Sequence, residues 1–178
     1  MVEEVNVHTL DPKSADALRL TELVHQLSSS HAEKGTTGIE YYRDHSVGGK
    51  VFVIRNESVI VASGCYALTK EKGEGNPVSF IAVPDSVAFI HGIIADQSMR
   101  GRGYGTTLMQ HIISNIQTQN ISCIQLTSNP SRESARRLYL KIGFKEVGTV
   151  IWPWIDPKTG KHQITLLFEL HLGRGAAM

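Results

Sequence analysis

Six consecutive residues, Arg100-Gly101-Arg102-Gly103-Tyr104-Gly105, have the composition of an anion-binding turn. Glycines let a backbone turn tightly and present successive N–H groups, and a following helix start adds unpaired donors and a positive dipole end, so phosphate is the natural ligand. Arg100 and Arg102 add local positive charge. A nucleotide P-loop needs Lys and then Ser or Thr after its last glycine, whereas Gly105 is followed by Thr106-Thr107. A dinucleotide site needs an acidic residue at the end of the next strand, and Leu126-Thr127-Ser128-Asn129 supplies none.

The turn is informative because of what flanks it. The apolar run 87–95 reads as a buried strand, and after the turn Leu108, Met109, Ile112, Ile113 and Ile116 recur on one helical face. A strand at 121–127 follows, then a helix opened by Asn129-Pro130-Ser131 whose face is Ala135, Leu138, Tyr139 and Ile142, closed by Gly143. Upstream, alternation at 5–10 predicts a first strand, and Ala17, Leu20, Leu23, Val24 and Leu27 predict a helix ended by Ser28-Ser29-Ser30. A short helix is expected around 39–45, a hairpin from 51–54 and 59–62, a hydrophilic loop at 70–77, and a strand at 80–83. Runs at 144–154 and 163–172, separated by Asp156-Pro157-Lys158-Thr159-Gly160, predict a closing hairpin. The order argues for a mixed α/β domain.

Arg100-x-x-Gly103-x-Gly105, followed by Ala135-x-x-Leu138-Tyr139-x-x-x-Gly143-Phe144, resembles two segments of the GNAT superfamily of acetyl-CoA-dependent N-acetyltransferases. The specific likeness runs from 87 to 144, with one departure: the Asn often found three residues before the Ala is Arg132. It implies a central, mostly antiparallel sheet of six to seven strands flanked by about four helices and splayed into a V between its fourth and fifth strands. The acetyl donor implied is acetyl-CoA, with its pantetheine arm in that cleft.

The resemblance implies a role for each residue the chemistry needs. Acetyl transfer to an amine requires a neutral nucleophile, stabilisation of a tetrahedral oxyanion and a proton for the departing thiolate. Tyr139 matches the family tyrosine taken to protonate that thiolate, although its helical spacing equally suits a core residue. Where relatives carry a basic Glu on the fourth strand this chain has His91, whose ordinary pKa near 6.5 suits a base acting through water. The backbone of Ile93, Ile94 and Ala95 is expected to pair with pantetheine, with Gly92 at a bulge and a nearby N–H polarising the thioester carbonyl. Arg100, Gly101, Arg102, Gly103, Tyr104, Gly105 and Thr106 are expected at the pyrophosphate, Asn129 and Tyr139 along the arm, and Arg132 or Arg136 at a coenzyme phosphate.

Composition bounds the rest. At 178 residues the chain suits one domain spanning 1–178, since domains average roughly 100 to 200 residues. Eighteen basic against 17 acidic residues give a net charge of +1, which argues against nucleic acid or anionic membrane as partners. Cys65 and Cys123 lie in apolar runs and read as buried free thiols. Met1-Val2-Glu3-Glu4 is acidic where a secretory signal is basic, and no stretch reaches membrane-span length, so a cytoplasmic protein is expected. The eight histidines show no HExxH or ligand spacing, so no metal is expected.

The acceptor walls are expected from Tyr41 and Tyr42 and from Trp152-Pro153-Trp154. A small primary amine is favoured over a protein N-terminus or lysine, or over a coenzyme-A-binding module without turnover. A homodimer formed through the strand at 164–172 is a further expectation by analogy with relatives.

Overall fold

A computed structural model describes residues 1–27, 33–68, 87–156 and 159–173. The expected strand at 80–83, the loop at 70–77 and the serine stop of the first helix lie outside the described residues. In chain order the elements are β1 (Val2–Val5), α1 (Ala15–Leu27), α2 (Gly38–His45), β2 (Lys50–Asn56), β3 (Val59–Leu68), β4 (Val87–Ala95), a 3₁₀ turn (Gln97–Met99), α3 (Tyr104–Gln117), β5 (Cys123–Ser128), α4 (Glu133–Ile142), β6 (Lys145–Asp156) and β7 (Lys161–His171). The seven strands form one sheet in the order β1-β2-β3-β4-β5-β7-β6, antiparallel throughout except for β4 and β5.

Helices cover both faces of the sheet. On one face α3 packs Leu108, Met109, Ile112 and Ile116 against Phe52, Ile54, Ala88, Ile90, Ile124 and Phe168, with Tyr139 of α4 in the same cluster. On the other, Leu20, Leu23 and Val24 of α1 and Tyr41 and Tyr42 of α2 meet Val51, Val53, Ile60, Cys65 and Ile94. Truncating a fully buried leucine such as Leu20 or Leu108 to alanine removes about 2–5 kcal/mol. Cys65 and Cys123 are free and buried, as their apolar neighbours predict.

Capping sets the helix starts. Ser14 Oγ accepts from the Ala17 amide at 3.2 Å to open α1. At α2, Thr37 Oγ1 accepts from the Glu40 amide while the Glu40 carboxylate accepts from the Thr37 amide, a reciprocal capping box. The first strand is earlier than the alternation predicts. It ends at Val5 because Asn6 Oδ1 takes the His8 amide and the Asn6 carbonyl takes the Thr9 amide, turning the chain.

The sheet has a different end from the one expected to pair between copies. The 164–172 segment lies within and beside β7, which is bonded to β5 on one side and β6 on the other. The free edge there is therefore β6, with Ile151 exposed beside Ile164 of β7. Among the described residues, no helix is long and apolar enough to cross a membrane.

Candidate active site

β4 and β5 pair in parallel only from Val87↔Cys123 to Phe89↔Gln125, although β4 runs on to Ala95 and β5 to Ser128. Beyond Phe89 the two strands part, and the edge of β4 carrying Gly92, Ile93, Ile94 and Ala95 faces an opening. On its other edge β4 stays paired, but with a bulge. Cys65 pairs with His91 and Ser63 with Ile94, so Gly92 and Ile93 stand opposite Gly64 alone.

Residue type makes that bulge possible. Gly92 adopts φ +59°, where a side chain is strained, and a Cβ there would lie 2.8 Å from Tyr41 Cε1 and 3.2 Å from Tyr41 Oη. Gly64 leaves room for the Ile93 side chain, which any Cβ would strike. Tyr42 fixes the bulge from below: its hydroxyl donates to Ser63 Oγ at 2.7 Å and lies 3.2 Å from the Gly92 carbonyl oxygen. This tyrosine–serine support has no sequence motif, and only the strand pairing reveals it.

Two tyrosines enter the opening from opposite faces of the sheet. Tyr139, from α4, packs edge-on against Phe144 and Phe168, and its hydroxyl makes no hydrogen bond among the described residues. Burial pushes its pKa up to about 12, with the positive charge of Arg132 opposing the rise. Tyr41, from α2, stacks on His45 with centroids 4.2 Å apart and lies within electrostatic reach of both Arg132 and Tyr139. Burial holds its pKa well above the ordinary phenol value.

His91 lies behind this pair. Its ring is buried against Phe89 and the edge of His45, and its Nε2 has no hydrogen-bond partner. Burial, helped by His45, drives its pKa well below 6.5, so the ring is neutral at physiological pH. His45 is held by a 2.7 Å contact between Nδ1 and the Tyr41 carbonyl, and its carbonyl accepts from Cys65 Sγ.

The glycine-rich turn at 100–105 follows the 3₁₀ turn that succeeds β4. Gly101 (φ +79°) and Gly103 (φ +85°) take left-handed backbone in open space, and Gly103 precedes α3 with no side chain capping the helix. Arg100 and Arg102 are exposed and make no ion pair among the described residues. Gly105 serves packing instead: a Cβ would sit 3.3 Å from Leu138 Cδ2, so α3 and α4 approach closely there. Tyr104 and Thr106 are half-buried in the first turn of α3. These open donors, unpaired cations and free strand edge fit a phosphate-bearing ligand with an extended amide arm.

The remaining expected residues divide. Asn129 sits at the end of β5, its Oδ1 accepting from the Ser131 amide and hydroxyl. Arg132 points across the opening and donates through Nη2 to the Leu27 carbonyl at the end of α1. Trp152 is buried with its indole N–H on Thr165 Oγ1, so it packs the hairpin rather than the opening; the Trp154 side chain lies outside the described residues. The fold also gathers ligand atoms of Cys123, Glu169 and His171 within 4.8 Å of one another, which their sequence spacing hides. Glu169 is already engaged there by Gln125 Nε2 and lies 3.4 Å from His171 Nε2.

Residues 19–144 match the model of the acetyltransferase (GNAT) family. A search of curated proteins finds no match. Among solved structures, an N-acetyltransferase from Staphylococcus aureus Mu50 aligns with TM-score 0.70 and 15% identity over 97% of this chain and 98% of that one. The ribosomal-protein-S18-alanine N-acetyltransferase of Escherichia coli aligns with TM-score 0.68 and 14% identity over 100% and 97%. The structure of yncA from Salmonella typhimurium with its cofactor acetyl-CoA aligns with TM-score 0.66 and 12% identity over 99% and 96%.

Proposed function

Because the chain belongs to the GNAT acetyltransferase family, we propose that it moves the acetyl group of acetyl-CoA onto a small primary amine by direct attack in a ternary complex. The observation that carries this reading is the parting of β4 and β5 beyond Phe89, with Tyr139 and Tyr41 entering from opposite faces beside the Gly92 bulge. The donor supplies an activated thioester; the chain positions it and manages protons.

Positioning falls to backbone groups. N–H groups of Gly101 to Thr106 and the side chains of Arg100 and Arg102 hold the pyrophosphate at the start of α3. The free edge of Ile93, Ile94 and Ala95 takes the amide arm as an added strand, with Asn129 on its other side. A backbone N–H at the bulge polarises the thioester carbonyl, and the left-handed Gly92 backbone aims it.

The amine lone pair attacks the carbonyl carbon, the carbon–sulfur bond breaks, and sulfur takes the Tyr139 proton. Burial keeps Tyr139 protonated across the physiological range, as an acid must be. The proton shed by nitrogen passes through water to the neutral Nε2 of His91. A weak base suffices there, because nitrogen bound in the tetrahedral adduct is far more acidic than a free ammonium. Solvent then resets both residues.

A second acceptor is a protein N-terminus, favoured by the likeness to the ribosomal-protein-alanine enzyme. Calorimetry with acetyl-CoA, using NAD and ATP as controls, tests the donor; thiol release with small amines against short peptides tests the acceptor. Selective acetyl-CoA binding and faster turnover of small amines are expected. Absence of binding would falsify the reading.

A further inference from the structure

Arg132 carries its charge to a place the coenzyme turn does not explain. It stands just before α4, yet its guanidinium reaches the last residue of α1, where Nη2 donates to the Leu27 carbonyl. From there it acts electrostatically on both Tyr139 and Tyr41, the residues entering the opening from its two sides. Arg100 and Arg102, by contrast, stand at the start of α3.

Three other helix- and strand-borne arginines are neutralised by carboxylates, whereas Arg43 of α2 and Arg137 of α4 make no ion pair among the described residues. Arg19 pairs with Asp96 and Glu22, Arg55 with Asp16 and Glu3, and Arg136 with Glu146. Among the described residues no carboxylate pairs with Arg132, whose described hydrogen bond is to a neutral carbonyl. A guanidinium has five N–H donors in a planar fork that matches a carboxylate bidentately, and one is engaged here. The group is thus held in place by α1 with its charge and most of its donors uncommitted.

We propose that Arg132 is the carboxylate-recognising residue of the acceptor site, so that the amine acetylated belongs to an amino acid or a similar amine bearing a nearby carboxylate. This rests on the small-amine reading above and narrows it. The fork takes the carboxylate between α1 and α4 while the amine of the same molecule lies toward Gly92, flanked by the hydroxyls of Tyr41 and Tyr139. A peptide N-terminus, whose nearest backbone carboxylate is at the other end of the chain, lacks the matching group. A polyamine is repelled by the same charge.

Matched pairs decide it: α-amino acids against their carboxamides and their decarboxylated amines, with thiol release giving kcat/KM, in the wild type, Arg132→Gln and Arg132→Lys. The wild type is expected to prefer the carboxylate by about 10- to 100-fold, the range for a charged hydrogen-bonded partner. Arg132→Gln erases that ratio through the acceptor KM, Arg132→Lys keeps part of it, and calorimetric acetyl-CoA affinity stays within about twofold in both. Equal use of acids and carboxamides, or a preference that survives Arg132→Gln, overturns the proposal while leaving the small-amine reading standing. A tenfold loss of acetyl-CoA affinity with the ratio intact also overturns it, returning Arg132 to the coenzyme. No turnover of any small amine by a protein that binds acetyl-CoA overturns both readings together.

Discussion

Tyr41 lies against the backbone of Gly92 so closely that a Cβ on the glycine would sit 2.8 Å from its ring and 3.2 Å from its hydroxyl oxygen. One residue comes from α2 and the other from the bulge of β4. A side chain at position 92 meets both the ring and a positive φ. Gly92→Ala is therefore expected to lose about 1–3 kcal/mol and nearly all acetyl transfer. Thermal unfolding and thiol release check the two effects, and wild-type turnover in the variant removes the bulge from the mechanism.

Tyr139→Phe leaves the ring packing against Phe144 and Phe168 intact and deletes a hydroxyl that makes no hydrogen bond among the described residues. The fold should be as stable as the wild type. Turnover should fall by about 10²-fold or more with acetyl-CoA affinity nearly unchanged, as for loss of a general acid. An unaltered kcat excludes Tyr139 as the proton donor.

His91 should register in pH profiles of stability. Its folded pKa is lowered below the unfolded value near 6.5, so the neutral buried ring favours folding above that pH, and the contribution is lost as pH falls below it. His45, whose pKa burial also lowers, acts in the same direction. Urea titrations from pH 7.5 to 5 should show a shallower loss of stability in His91→Ala than in the wild type. The acid limb of kcat/KM should vanish in the same variant, and a limb identical to wild type removes His91 as the base.

Asp96, at the end of β4, caps the 3₁₀ turn through the Ser98 amide and pairs with Arg19 of α1. Its hydrogen bonds to Ser98, then the one from Arg19, hold its pKa below the ordinary carboxylate range. The sign is opposite in origin to that of a buried histidine: stabilisation is complete above the unfolded pKa near 3.9 and fades as pH falls toward the folded value. The stability gap between wild type and Asp96→Asn should be constant from pH 7 to 5 and begin to narrow below pH 4, narrowing further as pH falls toward the folded pKa. A gap that does not narrow between pH 5 and pH 2 shows that the charge does not anchor α1.

Gly103→Ala adds a Cβ in open space but at φ +85°, so its effect is conformational. The expected result is a roughly tenfold weaker acetyl-CoA affinity in calorimetry, with a cost of about 1–2 kcal/mol in folding. Unchanged affinity means that the N–H groups of this turn do not hold the ligand.

The sequence by itself determined the elements around the turn, because their signals are local. The apolar stripe from Leu108 to Ile116, the arginine-flanked glycines, and the Gly143 stop whose amide returns to Leu140 and Tyr139 each depend on neighbours a few residues away. The motif pair also carried the family, since it recurs at fixed spacing. Where local side chains competed, the pattern misled: alternation at 5–10 reads as strand, but Asn6 bonds to its own neighbours and ends β1 at Val5.

Tertiary structure alone decided how the site is assembled. Tyr41 and Tyr139 are far apart in sequence and lie on opposite faces of the sheet, and they come within electrostatic reach only because β4 and β5 separate after Phe89. The burial that keeps His91 neutral is contributed by Phe89 and His45, and the carbonyl that holds Arg132 belongs to Leu27. Such relationships follow from the three-dimensional packing of distant segments, which residue spacing along a chain does not encode.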